Sequence, residues 1–501
     1  MQVTRLPDQA SPPLAARTRG LAWAATGSMV VSIGLMVTVG VLGPSVAVPN
    51  FPSAAPWPPY FALTQASEVT SVGLLWLGVG IGGLGLVLAL IAARRGWRPS
   101  PRALIGGGLL AVIALVLMPP VGSTDMMDYS VYGRITVLGH SPYRMTPAEL
   151  ERSGDPVGDV APFTWRNAPS VYGPLATASE AGASALAGPS AARTVFWLKV
   201  WNGLAYLALA LALDRLLRSD GASRVRAHLL WTVNPLMLFA VLAGGHIDGL
   251  GAAVGFLGLI CLRRLSLARG LAAGVVIGAA IDIKASFALY LAGVAWAARR
   301  SPRTLAAAAL GVVAVLVPSY LLAGRAALQA VLSRAAGGPD LYQPWQLLNR
   351  ALGQHPITRF DDTAGIAAFV ILALVLLWRM PAGPPDLSFV MPALAVSLAW
   401  LVFSPQQRPW YDAMIFPLVA LMPATRLDWV VVARALAATV AELPGVTFYT
   451  TLRPHWLSQF NNVLSRGIVP LVLVAAAVAL LWLCGTRRWA PAGELSAHAV
   501  T

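Results

Sequence analysis

The chain has 501 residues, 57% of them hydrophobic and only 11% charged, with a mean hydropathy of +0.67. That balance lies outside the range of a soluble domain and points to a protein built inside a bilayer. The formal net charge of +15 does not point to nucleic acid, because the basic residues stand at the ends of apolar runs rather than on one polar face.

A hydrocarbon core about 30 Å thick needs roughly 20 apolar residues per helical crossing, and such runs recur along the sequence. A transmembrane β-barrel would show short alternating segments instead. Hydropathy places about fourteen spans, starting near residues 21, 70, 103, 192, 229, 249, 270, 285, 304, 363, 388, 411, 429 and 467. The first follows Arg17 and Arg19, lacks a clear small-residue cleavage site and reads as a retained anchor rather than a signal peptide. Cys261 and Cys484 lie in apolar runs and read as core thiols, with neither a disulfide framework nor a metal site.

Short cytoplasmic loops carry the excess of arginine and lysine. Arg5, Arg17 and Arg19, the segments 94–102, 215–226, 263–269 and 299–303, then Arg379, Arg426, Arg487 and Arg488 fall into register on one side, which places both termini in the cytoplasm. The other side receives the loops 43–69, 120–190 and 324–362, the turn GGHIDG at 244–249, DIK at 282–284, SPQQRPWYD at 404–412 and RPHW at 453–456. One extracytoplasmic cavity built from many loops accounts for this segregation. The whole chain then reads as a single integral membrane domain, residues 1–501.

Within the large loop, GSTDMMDYSVYGRITVLGHSPY (122–143) follows a very apolar run. A helix over 125–138 puts Asp125, Asp128, Tyr129 and Tyr132 at i, i+3, i+4 and i+7 on one face. Ile135 and Leu138 make that helix amphipathic, fit to lie at the membrane surface. Two readings stand: an interfacial helix whose acids face water, or a site where a carboxylate accepts the proton of an attacking sugar hydroxyl while tyrosines stack on sugar rings. Arg134 is a candidate phosphate ligand or a headgroup contact. Asp125 and Asp128 are also able to hold a divalent cation, although no spacing demands one; no cofactor is predicted.

Ionisable residues inside apolar spans are costly and are functional candidates by default. His246 and Asp248 follow Asn234 and Pro235, read as a turn, a helix cap or part of a site. Asp282 and Lys284 stand where an apolar stretch reverses; two residues apart, they do not face each other on a helix, and Lys284 is read as a phosphate ligand, with a snorkelling lysine as the alternative. Arg408, with Gln406, Gln407, Trp410 and Tyr411, forms a second donor cluster at the cavity mouth or, for the aromatics, an interfacial belt.

Ser123-Thr124-Asp125, Met127-Asp128-Tyr129, Tyr132-Gly133-Arg134 and Gly139 to Pro142-Tyr143 together resemble the first catalytic loop of the actinobacterial polyprenol-phosphate-mannose-dependent α-1,6-mannosyltransferases of the GT-C superfamily. SVYGPL at 170–175, with Tyr172, is similar to that family's second loop motif; Asn234-Pro235 with GGHID, and PWY at 409–411, resemble later ones. Met127 and Asp128 depart from the expected Tyr and Ser, and Ile247 replaces a polar residue. The resemblance implies an all-α, GT-C-like polytopic bundle of 13 to 14 transmembrane helices with an extracytoplasmic first-loop catalytic region. It implies Asp125 as general base, Lys284 at the lipid phosphate, a polyprenyl-phosphate-mannose donor, a mannose-containing lipomannan-type acceptor and α-1,6 transfer with inversion. The rivals are a transporter or flippase of a lipid-linked sugar and a transferase using another polyprenyl-phosphate sugar.

Overall fold

The computed structural model describes residues 16–51, 57–335, 344, 347, 351–353, 359–404, 408–444 and 452–489. Gln406, Gln407, Arg5 and most of 336–358 lie outside the described residues. Among those described, the regular structure is helical, with no strand.

The chain opens with α1 (Ala16–Leu42) and α2 (Glu68–Arg94), a long antiparallel pair in which the Ser32 hydroxyl donates to the Gly78 carbonyl at 2.7 Å. After α3 (Pro101–Val116) come the helices of the large loop: α4 (Asp125–Val137), α5 (Pro147–Arg152) and α6 (Pro174–Ala187). The bundle resumes with α7 (Ala191–Leu216), α8 (Gly221–Leu230), the single turn α9 (Pro235–Met237), α10 (Asp248–Ile260), α11 (Leu267–Ile283), α12 (Leu291–Ala298), α13 (Pro302–Ala323) and α14 (Arg325–Ala335). It closes with α15 (Arg359–Arg379), α16 (Val390–Phe403), α17 (Phe416–Leu421), α18 (Leu427–Glu442), α19 (His455–Val463) and α20 (Val469–Thr486).

Among the described residues six segments are long and apolar enough to cross a membrane: Ala16–Leu42, Glu68–Arg94, Ala191–Leu216, Gly221–Ala243, Pro302–Ala323 and His455–Thr486, with five shorter apolar helices beside them. The protein is an all-α polytopic membrane protein. A helical segment starts close to each expected position, but several fall short of a full crossing. At about 1.5 Å per residue, the 14 residues of α16 reach only about 21 Å. The segment expected from 229 begins earlier, at Gly221, and is interrupted at Trp231–Asn234, where the Asn234 side chain accepts the Leu236 amide and caps α9.

Small residues let the backbones close. Gly270, Gly274 and Gly278 form one stripe of α11, where added methyl groups would meet the Thr304 and Ala308 carbonyls and the Val312 backbone of α13.

The two ends of the bundle differ in chemistry. At one end Arg94 donates to Asp428 and to the Thr425 carbonyl, and buried Arg226 donates to both oxygens of Asp428 and to the Met422 carbonyl. Arg426, through its amide, and Arg379, through its carbonyl, both join Trp489 there. At the other end of α2 the Glu68 carboxylate accepts the Arg453 amide. The large loop belongs to this second end: Leu63 and Thr64 bond the last carbonyls of α1, Gly122 bonds Ala47, and Val121 bonds Ala243. Arg94, Arg226, Arg379 and Arg426 therefore meet at one end, and the loop helices sit at the other.

Candidate active site

Asp125 opens α4, its amide bonded to the Ser123 hydroxyl, so its carboxylate lies at the positive end of that helix. Tyr129, one turn on, points its hydroxyl at Asp125 Oδ2 across 3.5 Å and shares a 3.1 Å hydrogen bond with the Tyr172 hydroxyl. The two phenol rings meet edge to face, 5.2 Å between centres. Tyr172 is held by its own loop: the Gly173 amide bonds the Ile283 carbonyl, and a side chain at Gly173 would collide with the Asp282 carbonyl. Pro174 then starts α6.

A break in the bundle supplies His246. The helix after Asn234 widens to a π-helical turn over Leu238–Ala243, a form often met at functional sites. Gly245 then turns the chain at φ +73°, a conformation that favours glycine. His246 emerges with Nδ1 3.2 Å from Asp125 Oδ2. Its ring lies flat on Trp410, 3.4 Å between centres and 12° from parallel.

Two residues on, Asp248 receives Lys284 Nζ on both oxygens at 2.8 Å. Lys284 ends α11 in an extended conformation (φ −152°, ψ 122°), which turns its side chain out of the helix line toward α10. Its ammonium stands 4.3 Å over the Tyr411 ring and 5.9 Å from the Tyr172 ring. Arg408 Nη1 meets both oxygens of Glu442 at 2.8 Å and lies 5.8 Å from the Trp410 ring.

Nine expected residues thus converge from five places in the chain: Asp125, Tyr129, Tyr172, His246, Asp248, Lys284, Arg408, Trp410 and Tyr411. Asp125 is the open one among the acids, its side chain 20% exposed against 2% for Asp248 and 4% for Glu442. Burial pushes the Asp125 carboxyl up, but His246, Arg408 and Lys284 outweigh that and hold it below the ordinary carboxylate range. Burial, reinforced by neighbouring acids, keeps the Tyr129 and Tyr172 phenols protonated as donors.

Three expected residues stand apart. Asp128 is 3% exposed and has neither oxygen hydrogen-bonded. Burial, Asp125 and Glu180 push its carboxyl well above the ordinary range. The Tyr132 hydroxyl donates to the Ala168 carbonyl, and Arg134 pairs with Asp155 at 2.8 Å. Arg134 stands nine residues along α4 from Asp125, about 13 Å by helical rise, and it braces the loop.

The helix itself is not amphipathic: Met126 to Gly133 and Ile135 are all buried against α6 and α7, and Gly133 packs on the Glu180 carbonyl. Trp410, 7% exposed and stacked on His246, is not part of a lipid-facing belt. Asp282 does not pair with Lys284; it accepts the Ser319 hydroxyl at 2.5 Å.

Sequence reasoning missed Glu442, the partner of Arg408, and Glu180. Both were findable: each is an acid in a run of apolar or small residues, TVAELP and TASEAGA. Among the described residues no three His, Cys, Asp or Glu side chains form a metal-holding group.

A family model described as alpha-(1->6)-mannopyranosyltransferase, N-terminal domain, matches residues 25–300. The chain belongs to this family. An alpha-(1->6)-mannopyranosyltransferase of Mycobacterium tuberculosis is 30% identical over 164 residues, 32% of this chain and 27% of the relative. A probable one from Mycolicibacterium smegmatis is 32% identical over 142 residues, 28% of this chain and 25% of the relative. Alpha-(1->6)-mannopyranosyltransferase B of Corynebacterium glutamicum is 27% identical over 146 residues, 29% of this chain and 24% of the relative. The matched stretches span about a quarter of the length of these relatives. The family match covers α4, Tyr172, His246, Asp248 and Lys284, and stops before Arg408.

Proposed function

We propose that this protein is a membrane mannosyltransferase that takes mannose from a polyprenyl-phosphate-linked donor and adds it, with inversion, to a mannose hydroxyl in an α-1,6 linkage. The observation that carries the reading is the open Asp125 carboxylate, set against His246 and flanked by Lys284 and Arg408. A sugar hydroxyl attacks poorly unless its proton has somewhere to go. In the proposed step the acceptor O–H proton moves to Asp125, the oxygen bonds to C1 of the donor sugar, and the C1–O bond to phosphate breaks. The electron pair leaves on the phosphate oxygen, where Lys284 and Arg408 offset its charge. Attack opposite the leaving group turns a β-linked donor into an α-linked product.

His246 is 1% exposed and serves to position Asp125 rather than meet the acceptor. Half-buried Tyr172 offers its ring and hydroxyl to the sugars, while Tyr129, 2% exposed, holds Tyr172 in place through the hydrogen bond between their hydroxyls. The arginine-rich end is cytoplasmic by the positive-inside rule, with both termini there, and the site opens on the other side of the cell membrane. The family match and the names of the relatives support the sugar and the linkage.

The test is mannose transfer from polyprenyl-phosphate mannose to a short α-1,6-mannoside by the purified protein in liposomes, beside glucosyl and arabinosyl polyprenyl-phosphate donors. Transfer from the mannosyl donor alone supports the reading. No transfer from any of them overturns it.

A further inference from the structure

At the arginine-rich end, away from the candidate active site, a groove of about 410 Å³ opens between α2, α18 and α20. Its polar head holds the guanidinium groups of Arg94 and Arg426; its walls are Trp429, Val430, Trp482 and Leu483. Each arginine lies against one wall indole, Arg94 4.5 Å from the Trp429 ring centre and Arg426 5.7 Å from that of Trp482.

The charge at this head is unbalanced. Asp428 is the carboxylate for both Arg94 and Arg226. Among the described residues no carboxylate pairs with Arg426. The outer wall belongs to the lipid-facing side of α20, where Leu471, Val478, Leu481 and Trp482 are 46–60% exposed. Tryptophan at a membrane boundary marks the depth of the headgroups.

We propose that this groove binds an anionic phospholipid of the leaflet opposite the candidate active site, with its phosphate between Arg426 and Arg94 and an acyl chain along Val430 and Leu483. A soluble phosphate would leave the indole and aliphatic walls uncovered. A zwitterionic lipid would bring a second cation to a head already rich in them. Basic pockets between membrane helices on the cytoplasmic side commonly hold anionic headgroups.

The test is native mass spectrometry of the detergent-purified protein titrated with phosphatidylglycerol, phosphatidylcholine and inorganic phosphate. Wild type is expected to retain phosphatidylglycerol in preference to phosphatidylcholine, and inorganic phosphate not to displace it. Arg426→Gln, which removes a guanidinium without stranding a carboxylate, should weaken phosphatidylglycerol binding about fivefold, the worth of one charge at a membrane surface. Arg426→Lys should keep most of the binding. Arg299→Gln, at an arginine lying against Trp296 elsewhere, should change nothing. Equal retention of the two lipids, an equal loss in Arg299→Gln, or displacement by inorganic phosphate overturns the proposal.

Discussion

The His246 imidazole lies flat on the Trp410 indole, ring centres 3.4 Å apart, while its Nδ1 faces Asp125 across 3.2 Å. Three segments far apart in the chain are fixed together by one ring. The ring's Nδ1 and the Tyr129 hydroxyl both meet Oδ2 of Asp125.

Removing His246 should therefore move a pH profile. Its charge and contact help hold the Asp125 carboxyl low, so without them the carboxyl titrates higher. His246→Asn is expected to shift the acid limb of the transfer rate to higher pH. An unchanged acid limb would dissociate His246 from Asp125.

Asp125→Asn keeps the size of the side chain but cannot take a proton. Transfer should fall by about 10²- to 10⁴-fold, the range for a positioned general base, with the protein still folded by size-exclusion chromatography. Asp128→Asn should be mild, because a buried protonated acid is well copied by an amide. Equal losses in the two would place the base elsewhere.

The Lys284–Asp248 pair is mostly buried, at 14% and 2% side-chain exposure. Losing one partner strands the other charge, at a cost of about 3–5 kcal/mol. Asp248→Asn should lower the thermal midpoint in detergent clearly, and adding Lys284→Met to it should recover part of that loss. Transfer should be abolished in the double variant, which separates the structural part of Lys284 from its proposed part in chemistry.

Asp128 on α4 and Glu180 on α6 are buried with none of their carboxyl oxygens hydrogen-bonded, and burial pushes both carboxyls well up. A raised acid favours folding while protonated and disfavours it as pH climbs above the unfolded values near 3.8 and 4.5. Limited proteolysis of the loop should thus speed up as pH rises from about 4 toward neutrality. Asp128→Asn with Glu180→Gln should flatten that dependence. A double variant as pH-sensitive as wild type would assign the effect to other groups.

Much of this was legible in the sequence, because in a bilayer the solvent writes the rules. A lipid-facing helix must be apolar for most of its length, so hydropathy alone marks where α1, α2, α7 and α13 run, and the arginine positions sort the loops. The motif around Asp125 also reads locally, since i and i+4 on a helix must share a face, as Asp125 and Tyr129 do.

What only the tertiary structure decided is pairing and burial. Asp248 takes Lys284 rather than leaving it to Asp282, because α11 ends at Ile283 and swings the lysine toward α10. Asp128 is buried where α4 packs on α6, and there Asp125 and Glu180 both push its carboxyl up. Arg408 finds Glu442, and Arg134 finds Asp155, across separations that no local period encodes. A sequence states which charges exist inside an apolar chain; their partners depend on how the helices break and cross, and those breaks are set by packing against neighbours.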